Sequence, residues 1–196
     1  MIEIEKLIPE SFSNILEEII CKNPEFTWVY TPSTNNQKET AIMKRDAQSY
    51  ESDQLVHALF LEGAKRSQFF DLIFPMFYFL EEKTGIRLGA IERIKANMLL
   101  RSTAAADTYN TPHIDIPDPG YKSLLYYVKD SDGDTFLFNE TWQTAQNKDK
   151  ALTVRKRVAP KKGRAIVFDS NIWHASSNPR ENQNRVVVNF VFKVRT

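Results

Sequence analysis

The chain is short of several things that would otherwise narrow its class. It has one cysteine, Cys21, in 196 residues. That excludes an intrachain disulfide framework and any cysteine cage for zinc, and it suits a reducing compartment. No apolar run approaches the ~20 residues that a membrane helix needs. Met1-Ile2-Glu3-Ile4-Glu5 lacks the basic flank and apolar stretch of a signal peptide, so the expectation is a soluble protein of the cytoplasm. Neither sign of charge dominates. The 26 basic and 25 acidic side chains leave a formal net charge of +1, which predicts neither a nucleic acid nor a membrane surface as partner. No internal repeat, low-complexity tract or inter-domain linker is visible. Histidine is scarce too, at three residues, so a site built on imidazole has few candidates.

What is present is the material of a core. Hydrophobic residues make up 42% and aromatics 12% of the chain, which excludes a disordered composition. The length suits one domain over 1–196. Its first part, 1–90, reads as helical support with short strands, and 91–196 as a core of strands. Residues 2–8 suggest a strand, and Ile8-Pro9-Glu10-Ser11 a helix entry. The helix would run to about Ile20, with Phe12, Ile15, Leu16, Ile19 and Ile20 on one face. Phe26–Tyr30 reads as a strand. Thr31–Asp53 is polar and turn-rich, a surface excursion or a lid, and Leu55–Leu61 fits strand or helix equally. Ser67–Thr84 predicts a helix so rich in Phe, Leu and Ile that it should pack on the back of a sheet. Pro75 should kink or split it, and Gly85 should end it.

From Ile91 the pattern becomes that of strands. The candidates are Ile91–Leu100, Thr111–Ile116, Lys122–Lys129, Thr135–Glu140, Thr153–Ala159, Arg164–Phe168, Ile172–Ala175 and Arg185–Val194, separated by turn-forming breaks. Eight short strands predict a jelly roll, two facing sheets with a pocket at one end. In the last strand Val186, Val188, Phe190, Phe192 and Val194 form one wholly apolar face, which should meet the helices. Arg185, Val187, Asn189, Val191 and Lys193 form the other, which should look into the pocket.

Within this series His113 and Asp115 stand two apart, where a strand would aim both side chains to one side. A second strand would bring His174 to them. Two imidazoles and one carboxylate leave three positions of an octahedron open, the ligand set of a non-haem Fe(II) oxygenase. Nitrogen and oxygen ligands would also accept nickel, zinc or manganese. A strand edge hydrogen-bonded to a loop is the plain rival for His113 and Asp115. His57, in Leu55-Val56-His57-Ala58-Leu59, reads as structural. Asp130-Ser131-Asp132-Gly133-Asp134 misplaces its glycine for a calcium loop and lacks flanking helices, so it reads as a hairpin turn. Lys161-Lys162-Gly163-Arg164 reads as a solvated loop.

Five pieces carry a resemblance: Pro112-His113-Ile114-Asp115, Leu125-Tyr126-Tyr127-Val128, Gly133-Asp134-Thr135, Trp173-His174-Ala175 and Asn184-Arg185-Val186. Together they resemble the 2-oxoglutarate- and Fe(II)-dependent dioxygenases of the double-stranded β-helix (cupin-like) fold, the prolyl 4-hydroxylase-like branch above all. The stretch Leu124–Asp134 also looks like small oxygenases encoded by cyanobacterial phages, which would place the protein in a host cytoplasm. The resemblance covers roughly the second half of the chain. It implies that His113, Asp115 and His174 bind Fe(II) and that Arg185 pairs with the distal carboxylate of 2-oxoglutarate, a two-pronged match for a guanidinium. Tyr127 would donate to the same carboxylate, and Asn189 would steady Arg185 or the co-substrate. Asn97, Leu99 and Tyr109 would form pocket wall. The implied reaction consumes O₂ and 2-oxoglutarate, with ascorbate as reductant, and releases succinate and CO₂ while a C–H bond is hydroxylated. A prolyl residue of a protein or peptide is the substrate by family analogy. A free amino acid or other small metabolite is the alternative, and a nucleic-acid base ranks below both. Two rivals stand outside this reading: a non-catalytic jelly roll that binds a ligand, and another cupin-type metalloenzyme such as an isomerase, which would want a denser histidine cluster. Oligomeric state is not readable.

Overall fold

The computed structural model describes residues 1–34, 49–104, 107–146 and 151–195. The strands in chain order are β1 (Ile2–Ile4), β2 (Val29–Thr31), β3 (Ser49–Tyr50), β4 (Gln54–Leu61), β5 (Ala64–Lys65), β6 (Leu88–Leu100), β7 (Tyr109–Asn110), β8 (Tyr121–Tyr127), β9 (Thr135–Thr141), β10 (Val154–Val158), β11 (Ala165–Asp169), β12 (Ile172–Ser176) and β13 (Asn184–Val194). The helices are α1 (Glu10–Lys22), α2 (Phe70–Ile73) and α3 (Met76–Thr84). A large sheet runs β1-β11-β8-β13-β6-β4-β2, with β5 beside β4, and a small one runs β10-β9-β12. β3 and β7 form a parallel pair. This is the expected jelly roll: two sheets facing each other, helices behind the larger one. Among the described residues no helix is long and apolar enough to cross a membrane.

The large sheet buries both faces, and β13 shows why. Its apolar face, Val186, Val188, Phe190 and Phe192, is fully buried with Leu16 and Ile20 of α1 and Met76, Phe77 and Leu80 of α3. The Phe77 ring stands edge-on to Phe190 at 5.2 Å and to Phe192 at 5.1 Å. Removing a ring from such a contact costs roughly 3–5 kcal/mol, so this seam fixes the helices on the sheet. The opposite face turns Arg185, Val187 and Asn189 toward the small sheet. Register then sets their neighbours: Arg185 lies beside Leu99, Val187 between Asn97 and Tyr127, and Asn189 between Lys95 and Leu125.

Several expectations hold in detail. Leu55–Leu61 is strand, within β4. Pro75 divides the aromatic segment into α2 and α3, and Gly85 closes α3 in the left-handed conformation at φ 71°. His57 is structural: its ring nitrogens lie 2.6 Å from Thr27 O and 2.7 Å from Ser67 Oγ, and it stacks on Phe26.

Other expectations need correction. Thr111–Ile116 is not a strand. It makes one isolated bridge, His113 to His174, because Pro112 has no N–H to donate and Ser170 O accepts both Asp115 N and Ile116 N, which turns the chain. The Asp130–Asp134 segment is not a hairpin, since β8 and β9 belong to different sheets. It crosses between them. Asp132 there accepts the backbone amides of Arg180, Glu181 and Asn182 at 2.9–3.1 Å, tying the crossing to the approach of β13. Ile15 is 51% exposed, because the buried stripe of α1 runs through Ser13, Leu16 and Ile20, and Ile15 sits about 100° around from Leu16. Most of the proposed lid, residues 35–48, lies outside the described residues.

Candidate metal centre and the cleft behind it

Three ligand atoms converge at the open end of the two sheets. One each from His113, Asp115 and His174 all lie within 4.8 Å of one another, and no other group of three or more potential ligands occurs among the described residues. The convergence is made by backbone. His113 and His174 exchange both amide bonds, at 2.9 and 2.8 Å, and Asp115 N bonds Ser170 O at 2.9 Å. The loop holding two ligands is thereby stitched to the ends of β11 and β12.

Each side chain is held in the state a cation requires. His174 Nδ1 lies 3.0 Å from Ile172 O, which fixes it as the N–H donor and leaves the Nε2 lone pair free, 3.7 Å from Asp115 Oδ2. Such an outward brace is what orients a metal-binding imidazole. His113 Nδ1 is buried without a hydrogen-bond partner. Burial first, and the neighbouring His174 second, pull the His113 pKa down to about 3. Burial also lowers that of His174, so both rings are neutral at physiological pH. The Asp115 side chain is 1% exposed. Burial alone would raise its pKa, but Arg93, the two imidazoles and the Ser123 hydroxyl outweigh that and hold the carboxyl below the usual range. Arg93 Nη2 bonds Oδ1, Ser123 Oγ donates to Oδ2 at 2.6 Å, and Ser123 in turn meets Ser170 Oγ at 3.0 Å. Two neutral imidazoles and an ionised carboxylate around one point form a donor set that fits Fe(II).

A narrow cleft runs from this point toward Arg185. It is lined by His113 and His174 at one end, Thr135 and Arg185 at the other, and Asn97, Leu99, Leu125, Val187 and Asn189 between. Arg185 is 3% exposed. Its Nε donates to Gly133 O at 2.8 Å and its Nη2 to Thr135 Oγ1 at 2.7 Å. Gly133 must be glycine here, since a Cβ would lie 2.5 Å from Ser177 O and 2.9 Å from Pro179 N. A second, wider cavity of about 480 Å³ opens on the outer side of His113 and Asp115, walled by Thr31, Pro32, Thr34, Val56, Arg93 and Lys95 among others.

The structure thus gathers His113, Asp115, His174, Arg185, Asn189, Asn97 and Leu99 around connected cavities. Three further residues are placed as follows. The Tyr127 hydroxyl donates to Thr135 Oγ1 at 2.8 Å and also lies against the Arg185 guanidinium, and its ring lies in the core between the sheets with Leu125, Ile166 and Phe168. Tyr109 is core as well, packed on Phe136 and Phe138 at 5.1 and 5.3 Å. Asn189 leans on Asp115 Oδ1 at 3.5 Å rather than on Arg185. Sequence reasoning missed Thr135, Ser123, Ser170 and Arg93. Strand alternation offered a clue to two of them: Ser123 shares its face with Leu125 and Tyr127, and Arg93 with Asn97 and Leu99.

No protein-family model matches the sequence, and no curated protein does. Solved structures do match. A prolyl-4-hydroxylase from Pseudomonas putida aligns over 99% of this chain and 92% of its own, with a TM-score of 0.56 and 14% identity. AviO1 from Streptomyces viridochromogenes aligns over 97% and 88%, with a TM-score of 0.59 and 11% identity. An oxidoreductase of the 2OG-Fe(II) oxygenase family from Burkholderia pseudomallei aligns over 94% and 92%, with a TM-score of 0.50 and 18% identity. The chain therefore has the jelly-roll fold of such oxygenases.

Proposed function

We propose that this chain is a 2-oxoglutarate- and Fe(II)-dependent dioxygenase that hydroxylates an unactivated C–H bond. One observation carries the reading: of a His-Asp-His cluster within 4.8 Å, both histidines line one cleft with the buried Arg185. Fe(II) held by His113, Asp115 and His174 would supply activation of O₂. The chain's own residues do the rest. Arg185 receives the distal carboxylate of the co-substrate. Thr135 holds Arg185 in place. Because its oxygen already accepts from Arg185 and Tyr127, its own O–H is left to donate toward that carboxylate. Arg93 and Ser123 keep Asp115 ionised and oriented, and Ile172 O keeps His174 in the tautomer that can ligate. Ascorbate enters as the reductant that keeps the iron ferrous. The fold shared with a prolyl-4-hydroxylase supports a prolyl residue as substrate, with a free amino acid or other small metabolite as the alternative.

The test is turnover of 2-oxoglutarate to succinate with added Fe(II) and ascorbate. It should be slow without substrate, and lost in His174→Ala and Asp115→Ala proteins that still fold. A folded, iron-loaded protein that makes no succinate, with or without candidate substrates, refutes the proposal and leaves a ligand-binding jelly roll.

A further inference from the structure

The carboxylate of Asp115 has two oxygens, and the large sheet treats them differently. Arg93 of β6 pairs with Val191 of β13, and Val191 pairs with Ser123 of β8. Directly paired residues stand on the same face, so the three form one row. Neighbouring strands lie about 4.8 Å apart, which sets Arg93 and Ser123 roughly 10 Å from each other with Val191 between them. The two flanking members each take one oxygen of Asp115. Arg93 Nη2 bonds Oδ1, and Ser123 Oγ donates to Oδ2 at 2.6 Å. Asn189, the next residue on that face of β13, adds its Nδ2 at 3.5 Å from Oδ1. Oδ2 is turned to the cluster, 3.7 Å from His174 Nε2. Ser123 does not depend on Oδ2, because Ser170 Oγ lies 3.0 Å away as a second partner. Arg93 is held more firmly. It stands on an interior strand between β4 and β13, its side chain is 28% exposed and its Nε is buried in the wall, so the guanidinium is packed where it meets Oδ1.

We infer that Arg93 is a positioning residue that limits Asp115 to a single ligating oxygen, Oδ2, by keeping Oδ1 on its guanidinium and away from the ion. This rests on the reading of the site as an oxygenase. A carboxylate can bind a metal through one oxygen or through both, and the difference decides how many positions stay open. Two imidazoles and one carboxylate oxygen leave three of six, two for the keto-acid end of 2-oxoglutarate and one for O₂. A second carboxylate oxygen would take the last of them. The division of donors suits this role. The cation sits on Oδ1, where it competes with the ion for that oxygen, and the partner of Oδ2 is a neutral hydroxyl, which does not repel a cation arriving beside it. A cation present only to balance a buried acid could sit on either oxygen.

The experiment counts the waters on bound Mn(II), which takes such a donor set without supporting turnover. Relaxation of solvent oxygen nuclei reads that number in protein loaded with Mn(II) and free of 2-oxoglutarate. The unaltered protein should show three waters. Arg93→Met keeps the bulk and removes the cation, and should show two, because Asp115 then closes on the ion with both oxygens. Arg93→Lys should return the count to three. Ser123→Ala should leave it at three, since Oδ1 is still held. Two waters in the unaltered protein overturn the inference without recourse to any variant. Three waters in a folded Arg93→Met protein, or two in Ser123→Ala, overturn it as well. Turnover gives a second readout: in iron-loaded Arg93→Met, kcat should fall at least roughly tenfold while the 2-oxoglutarate requirement changes by less than about threefold. A raised requirement with kcat retained would contradict the role. Succinate formation by the unaltered iron-loaded protein reads the parent proposal separately. Three waters without succinate would keep the one-oxygen grip and remove the oxygenase; succinate with two waters would do the reverse.

Discussion

Replacing Thr135 by valine keeps the shape of the side chain and removes one hydroxyl on which two buried groups converge. Thr135 Oγ1 accepts Arg185 Nη2 at 2.7 Å and the Tyr127 hydroxyl at 2.8 Å. Tyr127 is fully buried, and burial raises its pKa, so it remains a donor and has to find an acceptor. Thr135→Val takes a charge-assisted bond from Arg185 and orphans a phenol, together roughly 3–5 kcal/mol, or a fall in melting temperature on the order of 10 °C. Tyr127→Phe alone is milder, about 1 kcal/mol, because Thr135 still serves Arg185. In the double variant no phenol is left to be orphaned, so the combined loss should be smaller than the sum by about 1–2 kcal/mol. Urea unfolding of the four proteins measures this cycle. Titration with 2-oxoglutarate completes it: Thr135→Val should weaken co-substrate binding more than Tyr127→Phe does. Additive losses, or a Tyr127→Phe protein that binds 2-oxoglutarate more weakly than Thr135→Val, would show that the phenol acts on the co-substrate directly and that the relay through Thr135 is wrong.

Arg185→Gln should raise the concentration of 2-oxoglutarate needed for half-maximal turnover by roughly 10²-fold, the loss of a two-pronged charged contact; an unchanged requirement would take Arg185 out of the site. Gly133→Ala places a methyl against backbone at 2.5 Å and 2.9 Å, so it should cost a few kcal/mol and weaken 2-oxoglutarate binding through Arg185. Unaltered urea unfolding would contradict that packing. The His113 pKa is about 3 in the folded protein against an ordinary 6.5. Between those values the unfolded chain binds the proton more readily, so the metal-free protein is fully stabilised above pH 6.5 and loses stability as pH falls toward 3. Melting temperature against pH, with and without Mn(II), measures this, and a flat metal-free profile down to pH 4 would refute the buried neutral imidazole.

The legible parts of the sequence were those with one strong period. In β13 every second residue from Val186 to Phe192 is apolar while Arg185 and Asn189 fall on the other face, so both its faces and the inward aim of Arg185 could be read. The same holds for the apolar segment before Gly85. The convergence of His113, Asp115 and His174 was legible for a partly mistaken reason. His113 and Asp115 do converge, but through Ser170 and His174 backbone rather than through a strand ladder, a long-range pairing that no local pattern announces. The path between Tyr127 and Thr135 misled for a related cause: turn residues mark where a chain bends, not which sheet it enters next. Once β9 is known to lie in the opposite sheet, Thr135 faces Arg185 and bonds both it and Tyr127. Arg93 went unread because an arginine on an amphipathic strand is ordinarily solvent-facing, and only the fold shows the carboxylate opposite it.

The bond between Arg93 and Asp115 bears on the order in which the protein is assembled. An acid sealed in an interior with no counter-charge would make folding wait on metal, as it does in domains that collapse when the ion is stripped. Asp115 already has a resident cation and a serine hydroxyl to satisfy it. The polypeptide can therefore fold with its pocket intact before any metal arrives, and an ion would enter by a local exchange of partners rather than by refolding.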